Sequence, residues 1–198
     1  MKKIQYFIFS AVIALAACDN SKQETKEEKT DGYSGATKTD IIHYEDEKHL
    51  TNVRQLSNGG DNAEAYWSFD DSHLVMQITN EEWGIDCDQI FIYDLSKADK
   101  NYKPRMVSTG KGRTTCSYFL PGDTTFLYAS THLGSEECPS KPAEREDGKY
   151  VWPIYESFDI FVANTDGTII GQLTDEPGYD AEATVSPQGD KIVFTSMR

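Results

Sequence analysis

Ala63-Glu64-Ala65-Tyr66-Trp67-Ser68-Phe69-Asp70-Asp71-Ser72-His73-Leu74-Val75 lies without a gap over Ala181-Glu182-Ala183-Thr184-Val185-Ser186-Pro187-Gln188-Gly189-Asp190-Lys191-Ile192-Val193, 118 residues further on. A looser copy, Phe119-Leu120-Pro121-Gly122-Asp123-Thr124-Thr125-Phe126-Leu127-Tyr128, sits between them. Each copy reads as a strand, a turn built from Asp, Ser, Pro or Gly, and a returning strand. A unit of this kind repeated at intervals of tens of residues marks a repeat architecture.

The stretches between the copies complete each unit. After the first hairpin, Glu64 to Phe69 and Leu74 to Thr79, a loop through Cys87 leads to Gln89-Ile90-Phe91-Ile92-Tyr93-Asp94-Leu95. This nearly continuous apolar run predicts a strand covered on both faces. Lys103 to Ser108 supplies a fourth strand. The second unit follows the same plan with Thr115 to Leu120, Phe126 to Thr131 and Phe158 to Asn164. An Asp166-Gly167 turn then leads into Thr168 to Leu173. The third unit has only Glu182 to Ser186 and Lys191 to Ser196. The expected fold is all-β, a β-propeller of four-stranded blades with about two and a half blades present. His49 to Leu56 reads as an orphan outer strand, of the kind that completes a last blade. Sheets avoid raw apolar edges, so the sequence is expected to be an N-terminal fragment of a longer chain.

Lys2 and Lys3 precede an apolar run from Ile4 that ends in Leu15-Ala16-Ala17-Cys18. This reads as a secretory signal over 1–17, too short to span a bilayer as a helix. The Leu-Ala-Ala-Cys ending resembles the bacterial lipobox, which implies acylation of Cys18 and stable membrane anchoring. Asp19 resembles an inner-membrane retention signal, whereas Lys26-Glu27-Glu28 resembles an acidic signal for export to the cell surface. The preferred location is the outer membrane, facing the periplasm or the outside. Residues 18–48 are polar and almost free of aliphatic side chains apart from Ile41 and Ile42, the composition of a disordered tether. The propeller is assigned to 49–198.

The chain holds 33 acidic and 19 basic groups, a net charge of −14. Removing Met1 to Ala17 takes away Lys2 and Lys3 and leaves 17 basic against 33 acidic groups, a net −16. A surface this acidic repels phosphate backbones, which argues against nucleic acid and favours cationic peptides or proteins. Beyond Cys18 there are Cys87, Cys116 and Cys138, which an exported protein meets under oxidising conditions. Three thiols allow one bridge. Cys87 and Cys138 are both expected in loops, and Cys116 with Cys138, within one unit, is the expected pair. No Cys-x-x-Cys or His-rich spacing is present, so no metal or cofactor is expected.

The unit Gln172-Leu173-Thr174 … Ala181-Glu182-Ala183 … Ser186-Pro187-Gln188-Gly189-Asp190-Lys191-Ile192-Val193-Phe194-Thr195-Ser196 resembles the repeat of TolB-type propellers. The first unit departs from that pattern with Phe69-Asp70-Asp71-Ser72, and the second carries Cys116 where the others have glutamate. The resemblance implies a six-bladed, non-enzymatic propeller of the cell envelope that binds proteins, sometimes a peptide in its central channel. No binding residue of that family maps onto this chain. Similar repeats also resemble the propeller that accompanies prolyl-oligopeptidase-type enzymes and envelope amidohydrolases. The alternative reading is therefore the propeller portion of an exported enzyme whose catalytic domain lies beyond Arg198.

No catalytic motif occurs within these residues, and Gly-x-Ser-x-Gly is absent. His132 lies near Cys138, but a surface histidine beside a structural cystine explains it better than a catalytic dyad. Glu64 and Glu182 recur at matched positions, as a carboxylate ring or, in the favoured reading, as inter-blade hydrogen-bonding groups. Glu81, Glu82, Asp86 and Asp88 crowd one loop without the ordering of a calcium site and read as solvated acids. The 26-residue insertion His132 to Ser157 is the candidate recognition element. Tyr150, Trp152 and Tyr155 within it are the candidate partner-binding residues, with Trp152 expected to pack and Tyr150 to be exposed. Binding of polysaccharide would instead require a cleft of aromatics and carboxylates.

Overall fold

A computed structural model of the chain describes residues 41–42, 45–99, 101–143, 145–149 and 151–198. The signal segment, Cys18, most of the tether and Tyr150 lie outside the described residues. Regular structure among the described residues is β-strand, apart from single 3-10 turns at Glu81–Trp83 and Leu95–Lys97.

A short pair, β1 (Ile41–Ile42) and β2 (Val53–Arg54), comes first. It recruits the two isoleucines of the stretch read as tether. The first sheet is β3 (Asp61–Trp67), β4 (His73–Asn80), β5 (Ile85–Asp94) and β6 (Arg105–Met106), antiparallel and in sequential order. The second is β7 (Thr114–Phe119), β8 (Thr125–Ser130), β9 (Asp159–Asn164) and β10 (Ile169–Gln172), with the same sequential order. A hairpin of β11 (Asp180–Val185) and β12 (Ile192–Ser196) follows. Every pairing between these strands is antiparallel, including β8 with β9 across the long insertion.

The sheets are held together by alternating side chains. On the first sheet Val75, Ile90 and Ile92 face the second, where Phe119, Phe126, Tyr128 and Phe161 meet them. Their neighbours Leu74, Met76, Ile78, Phe91 and Tyr93 point the other way, under a cover of Leu56, Trp83 and Tyr102. This double burial accounts for the unbroken apolar run of β5. The Tyr93 hydroxyl donates to the carbonyl of Leu56 and anchors that cover. On the far side of the second sheet, Leu127 and Ile160 pack against Ala183 of the hairpin. Burial on this scale is worth about 1.5–3 kcal/mol per large apolar side chain.

The three copies share backbone geometry in detail. Each first strand is bulged, between Ala63 and Tyr66, Thr115 and Ser117, and Ala181 and Thr184. The left-handed residues there are Glu64 (φ 50°), Cys116 (φ 39°) and Glu182 (φ 59°). Seven residues on in every copy the turn again enters left-handed space, at Asp71 (φ 58°), Asp123 (φ 56°) and Gly189 (φ 73°). The turns close through the same amide-to-carbonyl bond, Ser68 to His73, Leu120 to Thr125 and Ser186 to Lys191, each at 2.9 Å. Successive turns also touch. The Asp123 carboxylate accepts the amides of Phe69 and Asp70 at 2.8 and 3.0 Å. A Cβ on Gly189 would come within 2.7 Å of Pro121 Cγ, so glycine there serves both the φ angle and the close approach.

Candidate functional site

The face of the first sheet that meets the second is apolar at one end and polar at the other. Following alternate residues past Val75 gives Gln77 and Thr79 on β4, and moving back from Ile90 on β5 gives Asp88 and Asp86. Asp61 pairs with Thr79 across the β3–β4 ladder and joins the same row. The polar end is tied to the second sheet. Arg113, just before β7, places Nη1 2.5 Å from Asp88 Oδ2, and the Thr79 hydroxyl donates to Asp88 Oδ1 at 2.5 Å. Gln77 Oε1 accepts the Thr115 hydroxyl at 3.1 Å. Arg113 Nε is buried and has no partner among the described residues.

Over this polar end lies the insertion, residues 132–157, which contains no regular strand or helix among its described residues. It is fastened at its root. Cys138 is bonded to Cys87, the amide of Gly112 donates to the carbonyl of Glu136 at 2.9 Å, and Lys111 pairs with the Glu136 carboxylate. Gly134 touches Ser157 so closely that a Cβ would stand 2.5 Å from the serine Cβ, which pinches the two ends of the insertion together. The Tyr155 hydroxyl donates to the carbonyl of Ser140 at 2.8 Å and closes the loop upon itself.

The disulfide corrects the expected Cys116–Cys138 pairing. Cys87 is buried within β5, which begins at Ile85 after the turn at Gly84 rather than at Gln89. From there it meets the insertion directly. Cys116 is occupied elsewhere, in the bulge of β7, and its thiol is free. Burial pushes that thiol up to about 11, and the carboxylates of Glu64 and Glu182 on either side add to the effect. The three bulge residues therefore converge on one rim. Glu64 accepts the Tyr66 hydroxyl at 2.8 Å, and Glu182 accepts those of Tyr179 (3.2 Å) and Thr195 (2.6 Å). Tyr66 and Thr195 lie within each glutamate's own sheet, and Tyr179 immediately precedes β11. From the second sheet, the Cys116 thiol lies close enough to Glu64 and Glu182 for their carboxylates to raise its pKa.

Between sheet and insertion is a cavity of about 770 Å³, within the 300–1,000 Å³ range of small-ligand and peptide-side-chain pockets. Asp61, Asp86 and Asp88 lie on its floor, and Lys141, Arg145 and Lys149 on its roof. Arg145 and Lys149 are held by Asp147 of their own loop, at 2.9 and 3.6 Å. Trp152 and Tyr155 form the apolar wall. Trp152 remains 47 % exposed instead of packing away. Its Nε1 donates to the Tyr179 hydroxyl at 3.3 Å, and that hydroxyl donates to Glu182. A polar chain thus runs from the cleft wall to the rim of bulge residues. Burial pushes Tyr179 up to about 12, so it holds this chain as a neutral phenol.

Other candidates separate. His132 places Nδ1 2.9 Å from the buried Ser130 hydroxyl and packs at a tilt against Phe161, and burial lowers its pKa. With Cys138 in a disulfide, no cysteine–histidine dyad forms there. Among the described residues no grouping of three His, Cys, Asp or Glu could hold a metal ion. Sequence reasoning missed Asp61, Gln77, Thr79, Arg113, Lys141 and Arg145. The signal for the floor was present: polar residues occupy the inward positions of strands whose remaining inward positions are Val and Ile.

No protein-family model matches this chain, and no curated protein is similar to it at a significant level.

Proposed function

We propose that this chain is a membrane-tethered β-propeller of the bacterial cell envelope, a lipoprotein anchored through Cys18, that acts as a non-catalytic scaffold binding a protein or peptide. The repeat of bulge and turn in three copies supports the propeller reading, together with sheets that stack through their faces. The lipobox-like Leu15-Ala16-Ala17-Cys18 and the polar stretch after it support the tethered location. The observation that carries the binding role is the cleft under the insertion. A half-exposed Trp152, charged groups from two separate elements and an open volume of about 770 Å³ meet there. Aromatic and charged residues around a recess are the composition of interface hot spots.

Two measurements test this. Growth with a radiolabelled fatty acid should label the full-length protein in the membrane fraction, and Cys18→Ala should abolish the label and release the chain. A photo-crosslinking amino acid in place of Trp152 should trap an envelope polypeptide in living cells. The same group at exposed Ile170, on β10, should not. Equal crosslinking from both positions, or none from 152, removes the cleft as the binding site.

A further inference from the structure

The charges of the cleft are sorted by the element that supplies them. The sheet contributes Asp61, Asp86 and Asp88, of which only Asp88 has a cation, Arg113. The insertion contributes Lys141, Arg145 and Lys149. These two sets face one cavity without pairing with each other. Arg145 and Lys149 are bonded to Asp147, while Asp61, Asp86 and Lys141 have no partner among the described residues.

Asp61, Asp86 and Lys141 are exposed at the mouth of the recess, and a ligand that brings their counter-charges gains charge-assisted hydrogen bonds there. A neutral ligand brings none. A purely cationic ligand meets the floor but is repelled by the roof, and a purely anionic one meets the reverse. Resting on the peptide-binding reading above, we propose that the cleft takes a peptide end carrying both signs of charge, with its cation on Asp61 and Asp86 and its carboxylate at Lys141. A C-terminal lysine or arginine carries both charges on one residue, and an apolar residue before it would lie against Trp152. The net charge of −14 adds long-range attraction for the cationic part and makes the encounter salt-dependent.

The test is calorimetric titration of the purified full-length chain with three synthetic peptides, all acetylated at the N-terminus: Ala-Ala-Phe-Lys with a free carboxylate, its C-terminal amide, and its Nε-acetyl-lysine form. The free peptide should bind about tenfold or more tightly than either blocked form, one charge-assisted contact being lost in each. Asp61→Asn combined with Asp86→Asn should weaken the free peptide and the amide, yet leave the acetylated peptide unchanged. Lys141→Gln should weaken the free peptide and leave the amide unchanged. All three positions are exposed, so folding is preserved and is checked by the unchanged response to the indifferent peptide. Equal affinity for all three peptides would overturn the mixed-charge assignment while leaving peptide binding intact. No heat from any peptide at millimolar concentration would overturn the assignment too, and crosslinking at position 152 then decides independently whether the cleft binds a partner.

Discussion

Tyr128→Phe should make this protein more stable. The ring of Tyr128 is fully buried in the core between the first two sheets, 5.5 Å from the ring of Phe126 and 6.0 Å from that of Phe161. Its hydroxyl has no hydrogen-bond partner among the described residues. A buried, unsatisfied polar group costs about 1–3 kcal/mol. The void left by one oxygen offsets a few tenths of that gain, at about 24 cal/mol per Å³. The expected net gain is about 1–2 kcal/mol at neutral pH, or a rise in Tm of about 2–8 °C for a chain of this size. Urea denaturation should show a higher midpoint with the same slope.

Alkaline pH supplies a second, independent reading of the same hydroxyl. Burial raises this phenol from 10.0 to about 12. The unfolded chain loses the proton first, so stability that is fully present below pH 10.0 is lost as pH rises through about 12. The loss available from this group is on the order of 3 kcal/mol, at 1.36 kcal/mol per pK unit. Tyr66, Tyr93 and Tyr179 are raised as well and remain in both proteins, so only the difference between variant and parent is informative. The advantage of Tyr128→Phe should therefore widen between pH 10 and 12. A variant less stable by about 1 kcal/mol at pH 7, or one whose alkaline slope matches the parent's, would refute the reasoning by showing that the hydroxyl is bonded.

Three further outcomes are expected. Cys138→Ser should destabilise the protein by up to about 4 kcal/mol, the chain-entropy value for a cross-link spanning 51 residues. It should also loosen the insertion and speed tryptic cleavage after the already exposed Arg145 and Lys149, with the cuts read by mass spectrometry. Asp123→Ala should cost about 1–2 kcal/mol by removing the acceptor for two amides of the preceding turn. Asp123→Asn, which tolerates the left-handed backbone and keeps one acceptor, should cost less in the same denaturation assay. In a Cys18→Ser background, Cys116 should alkylate slowly with iodoacetamide at pH 8. Its rate should climb only towards pH 11, the region to which burial and the flanking carboxylates move it.

What the sequence made legible follows from which signals are local. The apolar runs of β4, β5, β8 and β9 and the Asp/Gly-rich turns carry their conformation in their own residues, and those elements stand within a few positions of where they were expected. Of Lys103 to Ser108 only Arg105–Met106 is strand: Pro104 lacks an amide at its start, and beyond it the amides of Val107 and Ser108 converge on one carbonyl, that of Ile90. Asp86-Cys87-Asp88 read as a loop because carboxylates inside a sheet are unexpected. They are strand residues here because one face of that strand opens on a cavity and on Arg113. That one bridge forms and that Cys138 takes part in it was legible, but its partner, Cys87, was not. Which thiols meet depends on the path of a 26-residue insertion whose anchoring contacts, at Lys111, Gly112 and Gly134, lie outside any periodic pattern. Glu64 and Glu182 were singled out by repetition, but their company with Cys116 needed the bulges that turn all three towards one rim.

The pinched root of the insertion has a consequence for how such a surface can change. Gly134 against Ser157 and Cys138 bonded to Cys87 fix where the segment leaves and rejoins the sheet, whatever lies between. Entropy of closure grows only slowly with length, about 0.6 kcal/mol per doubling. Residues from Pro139 to Glu156 can thus be lengthened, shortened or replaced as a cassette while strand pairing is left alone. Under the proposed binding role, recognition can drift here without renegotiating the frame, and an engineer could graft a new roof over the same acidic floor.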